Sequence, residues 1–309
     1  MALQSVRLSP VRKGYAVPIG IAASIAAGAG ALLLFLFIMQ ERMAFHPSRE
    51  IEATPASLGL PFREVRAATD DGGEISGWWL PAGEGAPSIL FLHGNAGNIS
   101  HRLGQIRELH EAGFAILIID YRGYGRSPGT PSEARMALDA RAGWDLLTGD
   151  LGVEGSSAIL YGESIGSAPA LRLALALQEG DGPAGLVLEG AFTSALEMAR
   201  RAFPFLPVRW ILRLRMDNIG AVKALKLPAL FIHGSRDEVV PLSMGRELAE
   251  ASTHAGSRFV EVPGAMHNTL WLTAPSRLAA EITVFAHEIR AAPPPEEGGP
   301  SDGGAFTEP

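Results

Sequence analysis

The chain of 309 residues contains no cysteine. That absence excludes a disulfide framework, a thiol nucleophile and thiolate metal ligands, and it fits either a reducing or an oxidising compartment. A surplus of positive charge is missing too: 26 Lys and Arg stand against 33 Asp and Glu, a formal net charge of −7. Binding phosphates requires a clustered positive surface, so nucleic acid is excluded as a partner class. No internal repeat is present. Two segments lack what a globular core needs. Residues 291–309, AAPPPEEGGPSDGGAFTEP, have almost nothing to bury and are expected to form a disordered tail. Residues 16–39 lack any charge.

That uncharged run, AVPIGIAASIAAGAGALLLFLFIM, is 24 residues long. At about 1.5 Å per residue it is long enough to cross a hydrocarbon core roughly 30 Å thick. A cleaved signal peptide is the competing reading, but its apolar region would run about 7–15 residues and end at a small-residue cleavage site. Here QERMAFHP follows. A single transmembrane anchor over 16–39 is therefore expected, behind a short basic segment, 1–15. Arg7, Arg12 and Lys13 precede the span and Arg42 and Arg49 follow it. This bias orients the N-terminus to the cytoplasm and the folded body, residues 43–290, to the extracytoplasmic side.

Within the body, short apolar runs alternate with helical patterns: SILFLHG, FAILIIDY, SAILYGE, AGLVLEG, ALFIHG and RFVEV. Buried runs of this kind, separated by amphipathic stretches, specify an α/β fold with a doubly wound, mostly parallel sheet. The pair FREVRAAT and EISGWWLP flanks Asp70-Asp71-Gly72-Gly73 and is expected to be an antiparallel hairpin at the sheet's edge.

Two stretches match G-x-S-x-G: GRSPG around Ser127 and GESIG around Ser164. A nucleophilic serine of this type sits just past a buried strand and opens a helix, with the next residue's N–H aimed at the developing oxyanion. Ser164 follows SAILYG and opens SAPALRLALAL. Ser127 is followed by Pro128, which has no N–H to give, and by a loop. GESIG is therefore read as the elbow and GRSPG as a turn. A serine hydroxyl needs a histidine to take its proton and a carboxylate to orient that histidine. With this elbow, acid and histidine follow the serine in that order, each after a strand end. Of the histidines, His254 precedes the last strand and His287 lies late in the final helix, which leaves His267 in VPGAMHN. Asp237 in SRDEVVP is the expected acid, with Glu189 after AGLVLE as the alternative. The oxyanion donors are assigned to the N–H groups of Ile165 and Asn95, the latter in the small-residue loop HGNAGN. His93 is read as an orienting loop residue, and Asp120 with Arg122 as a structural ion pair or turn.

Taken together, LHGNAGN, DYRGYGRSPGTPSE, YGESIGS, FIHGSRDEVVP and GAMHN resemble the HGN-type branch of the α/β-hydrolase family, membrane-anchored serine hydrolases that include the Bem-type proteins and protein depalmitoylases. The resemblance covers roughly Met43 to Ile289. It implies the α/β-hydrolase fold, Ser164, Asp237 and His267 as the triad, and cleavage of esters, thioesters or, less often, amides. Ser167 stands where many relatives have a second glycine, and the cysteine cluster of the depalmitoylases is absent. Such chemistry needs no metal and no organic cofactor. A lid is expected over 191–225, where Phe203, Phe205, Leu206, Trp210, Ile211 and Leu212 are mixed with Arg200, Arg201, Arg209, Arg213 and Arg215. A basic, apolar insertion beside an anchor fits docking on anionic lipid or receipt of acyl chains from a lipid or small-molecule ester; an amphipathic cap with its arginines in water is the alternative. The other classes kept open are a peptidase of the same fold and a catalytically silent, membrane-tethered binding module.

Overall fold

The computed structural model describes residues 16–291. The basic segment 1–15 and all but the first residue of the expected tail lie outside the described residues. Eight strands form one sheet: β1 (Arg63–Ala68), β2 (Glu74–Leu80), β3 (Ser88–Leu92), β4 (Ala115–Asp120), β5 (Ala158–Glu163), β6 (Gly185–Glu189), β7 (Ala229–Gly234) and β8 (Arg258–Val262). Their order is β1-β2-β4-β3-β5-β6-β7-β8. The hairpin β1–β2 and the β2–β4 pair are antiparallel, and every other pairing is parallel. The Asp-Asp-Gly-Gly turn closes with Thr69 and Gly73 bonded through the backbone and Gly72 at φ 79°, a conformation that favours glycine.

Why the central strands read as unbroken apolar runs is visible in their burial. Every residue of β3, β4, β6 and β7 is buried, whereas edge strand β1 alternates between exposed and half-buried residues. Helices cover both faces, so no side of a central strand meets water. One core face holds Met136 and Trp144 of α3 (Glu133–Thr148), Leu171 of α4 (Ser167–Leu177) and Leu248 of α8 (Leu242–Ala251). The opposite face holds Ile106 and Leu109 of α2 (Leu103–Glu111) and Ile282 and Phe285 of α10 (Pro275–Ala291).

Two features lie outside this sandwich. Helix α1 (Ala16–Ala44) is a single 29-residue helix, long and apolar enough to cross a membrane, with Ile25, Leu34 and Ile38 exposed on it. It runs five residues past the expected end of the span, Met39. Between β6 and β7 come three short helices, α5 (Ala195–Ala202), α6 (Val208–Ile211) and α7 (Asn218–Ala224), a helical insertion beside the strands' carboxyl ends. The last short helix, α9 (Leu270–Thr273), precedes α10.

Candidate active site

Strand β5 ends at Glu163, Ser164–Gly166 make one 3-10 turn, and α4 starts at Ser167. Ser164 has φ 51°, the left-handed region that non-glycine residues enter at a cost. Its neighbours explain how the turn fits. A Cβ on Gly162 would stand 2.7 Å from Ser167 Cα, and one on Gly166 would stand 2.0 Å from the Leu92 carbonyl oxygen. Both glycines of the motif are thus required by the close approach of the α4 start to β5 and β3.

The chain after β8 brings His267 to this turn. Its Nε2 lies 3.0 Å from Ser164 Oγ, and its Nδ1 lies 2.7 Å from Asp237 Oδ2. Asp237 sits in the turn after β7 and is itself held: its Oδ1 accepts from the N–H groups of Val239 (2.9 Å) and Val240 (2.7 Å). His233 Nε2 lies 3.3 Å from Asp237 Oδ2 and 2.9 Å from the Val240 carbonyl oxygen. Burial opposes ionisation of Asp237, but hydrogen bonds from His233 and His267 outweigh it and hold the carboxyl well below the usual carboxylate range. For His267, burial pulls the imidazole down while the hydrogen bond and charge of Asp237 pull it up, and the net shift is upward.

The remaining residues of the sequence reading fall as follows. Glu189 is buried under the site, where its carboxylate accepts from the Tyr161 hydroxyl and from Trp271 Nε1 (2.8 Å); among the described residues it makes no bond to His267. Burial pushes its carboxyl up to about 7. Ser127 is buried in the turn after β4, donating to the Asp120 carbonyl (2.6 Å) and accepting from Ser76 N–H (2.8 Å). His93 is buried with Nδ1 2.7 Å from the Gly94 carbonyl, and burial drives its pKa down to about 3. Of the two readings of Asp120 and Arg122, the turn is present, closed by Tyr124 N–H on the Tyr121 carbonyl (2.9 Å), and the ion pair is corrected: Arg122 does not pair with Asp120. Its guanidinium leaves the strand end for Asp139 of α3 (2.6 Å) and Asp71 of the hairpin turn (2.7 Å), while Asp120 accepts from Ile99 N–H (3.1 Å).

Asn95 and Ile165 line one cavity with Ser164 and His267. Among the described residues the Asn95 N–H donates to no protein acceptor. Its side chain is held at both amide atoms: Oδ1 accepts from His46 N–H (3.2 Å) and the Tyr124 hydroxyl (3.1 Å), and Nδ2 donates to the Ala44 carbonyl (2.6 Å). The cavity holds about 420 Å³; Arg102, Glu163 and Asn268 line it beside the site, and apolar side chains, among them Phe192, Met198, Leu214 and Met216, form much of the remaining wall.

Two further residues hold the elbow: Arg102, which was not named from the sequence, and Ser167, which was noted there only as standing in place of a glycine. Arg102 pairs with Glu163, the second residue of GESIG, through Nε at 2.9 Å, and the same carboxylate accepts from Gly94 N–H at 2.9 Å. Burial disfavours the Glu163 carboxylate, but Arg102 overcomes that and its pKa is lowered. This cluster ties the elbow to the 93–98 loop. The only signal for it was a carboxylate at the end of a buried strand, which demands a cation without saying which. Ser167 is the other: its hydroxyl donates to the Ser164 carbonyl (2.6 Å) and accepts from Asn218 Nδ2 (3.0 Å), joining the elbow to α7.

Residues 84–220 match the family model Hydrolase_4, described as serine aminopeptidase, S33. Over 269 residues the chain is 33% identical to the alpha/beta hydrolase domain-containing protein WAV2 of Arabidopsis thaliana, covering 79% of this chain and 86% of that one. The chain belongs to the α/β-hydrolase family. Its Bem46 branch is marked by protein bem46 of Schizosaccharomyces pombe, 30% identical over 246 residues, 76% of this hydrolase and 82% of the relative. The Pyrococcus furiosus esterase Pf2001 shares the fold, with a TM-score of 0.66 at 20% identity over 80% of this hydrolase and 98% of that chain. The family model stops before Asp237 and His267.

Proposed function

We propose that this chain is a membrane-anchored serine hydrolase that cleaves carboxylic esters or thioesters through an acyl-enzyme on Ser164. The observation that supports this reading most is the hydrogen-bonded series Ser164–His267–Asp237, which begins at a strained turn opening into a cavity. His267 takes the Ser164 proton as Oγ attacks the carbonyl carbon, and the tetrahedral oxyanion is met by the N–H groups of Ile165 and Asn95. Collapse expels the alcohol or thiol, which receives that proton from His267. Water then enters, loses its proton to His267, attacks the acyl carbon and releases the acid, returning the proton to Ser164. Asp237 stays ionised throughout, orienting the imidazole and stabilising its cationic form. The glutamate–arginine pair beneath the elbow positions the 93–98 loop and with it the Asn95 donor.

In this proposal helix α1 is the membrane anchor, and the basic residues before it support an extracytoplasmic catalytic body. Amide cleavage is the second reading. The serine aminopeptidase name of the matched family model favours it, and turnover of aminoacyl amides without turnover of esters would select it.

Labelling with a fluorophosphonate tests the proposal. The wild-type protein and Ser127→Ala are expected to label and Ser164→Ala is not. Labelling that survives in Ser164→Ala, or no labelling of the wild type, removes the assignment and brings forward a silent binding module.

A further inference from the structure

The last turns of α1 pack against the helical insertion. Gln40 joins them: its Nε2 donates to the Ile211 carbonyl (3.4 Å) and its Oε1 accepts from Arg213 N–H (2.6 Å). The Arg213 guanidinium lies 5.3 Å from the centre of the Phe37 ring and 3.7 Å from the Glu41 carboxylate. Between helix and insertion runs a groove of about 190 Å³, walled by Leu36 and Met43 of α1 and by Phe203, Leu206, Ile211 and Leu212. Gln40 is its one polar lining residue, and both its amide atoms are already bonded. Ala44 lines this groove and the cavity of Ser164 alike, so the two spaces adjoin.

Counted from Ala16, helix length sets the groove at the edge of the hydrocarbon core. About 20 helical residues cross the hydrocarbon core, and α1 has 29, so its last turns, from about Leu36 onward, stand at the headgroup boundary. The insertion packed on those turns is held at the same level. Its outer surface carries what that level favours: Phe205 and Trp210 are 97% and 84% exposed, and Arg200, Arg201 and Arg209 are exposed beside them. A groove that starts at the hydrocarbon boundary, is apolar but for the bonded amide of Gln40 and adjoins the cavity of Ser164 has the character of a path for an alkyl chain.

We infer that this groove is the acyl-chain site of the enzyme, taking long-chain acyl esters sideways from the bilayer. The chain lies between α1 and the insertion, and the carbonyl carbon reaches Ser164 past Ala44. The inference rests on the serine-hydrolase reading and deepens it by naming the substrate class and its route.

The test uses the full chain in vesicles of phosphatidylcholine and phosphatidylglycerol, with Leu206→Trp and Met43→Trp filling the groove from opposite walls. The measured quantity is the ratio of kcat/KM for p-nitrophenyl hexadecanoate to that for p-nitrophenyl butanoate. Each tryptophan is expected to lower this ratio about tenfold or more, because the lost contacts are those of the distal methylenes. A hexadecanoyl fluorophosphonate carrying a diazirine at its chain end is expected to crosslink the wild type within 36–44 or 203–212. Butanoate turnover at Ser164 with an unaltered ratio in both variants, or crosslinking elsewhere, overturns the groove and leaves the hydrolase standing. A wild type that turns over neither ester and takes no fluorophosphonate sinks both readings. A variant that loses labelling has lost its fold, and the wild-type crosslink then decides.

Discussion

Asp237 shows how much a single carboxylate is asked to do. It accepts from two backbone N–H groups at Oδ1 and from His267 at Oδ2, where a second imidazole, His233, also approaches. Because His267 titrates above the ordinary imidazole value of about 6.5, the acid limb of kcat/KM should lie above that pH: activity falls as pH falls and the base becomes protonated. Asp237→Asn removes the group that raises His267 and keeps the burial that lowers it. The acid limb is expected to move to lower pH, while kcat falls by roughly three to four orders of magnitude, the scale seen for this change in Ser-His-Asp enzymes. An unchanged limb would show that Asp237 does not set the imidazole. Ser164, Asp237 and His267 could be grouped from the sequence because each follows a readable strand in the chain order that goes with the elbow. Arg102 and His233 were not. Arg102 meets Glu163 from 61 residues away, and no periodicity announces such a pair.

At the scale of elements, the elbow is a packing problem that glycine solves. A methyl at Gly166 would meet the Leu92 carbonyl oxygen, a backbone atom that cannot swing aside. Gly166→Ala should therefore destabilise the protein by about 1–3 kcal/mol and displace the Ile165 N–H from the cavity. Thermal denaturation with fluorophosphonate labelling rates checks this, and a wild-type melting temperature with a wild-type rate would contradict it. The hairpin and the alternation of buried strands with helices could be read from period and turn chemistry alone. The insertion could be read only as a place. Pro204 and Pro207 interrupt its pattern, and its helices of 4 to 8 residues are tied down from outside the insertion by Glu133, which accepts from Met216 N–H, and by Gln40 at the end of α1.

Over the whole molecule, the N-terminal apolar helix and the hydrolase body are joined more closely than an anchor requires. The chain leaving α1 is bonded to Asn95 through Ala44 and His46, and Gln40 is bonded to the insertion. None of this was legible in the sequence, where the span ended at Met39 and nothing marked Gln40 as a joint.

The sheet also carries a stability term tied to pH. Glu189, buried between Tyr161 and Trp271, has a folded pKa of about 7, above its ordinary 4.5. The folded state therefore holds this proton more tightly than the unfolded state. The resulting stability is fully present below about pH 4.5 and is lost as pH rises through about 7. Glu189→Gln should flatten the decline in unfolding free energy between pH 5 and pH 8 by up to about 3 kcal/mol. Equal pH slopes for both proteins in denaturant unfolding would contradict it.

The central claim is a covalent intermediate on one serine, and the direct measurement is mass mapping of an acid-quenched reaction with p-nitrophenyl butanoate. We expect a butanoyl adduct on the peptide containing Gly162–Gly166, located at Ser164, and absent from Ser164→Ala. Turnover without an adduct on Ser164, or an adduct on Ser127 or another residue, would contradict the account.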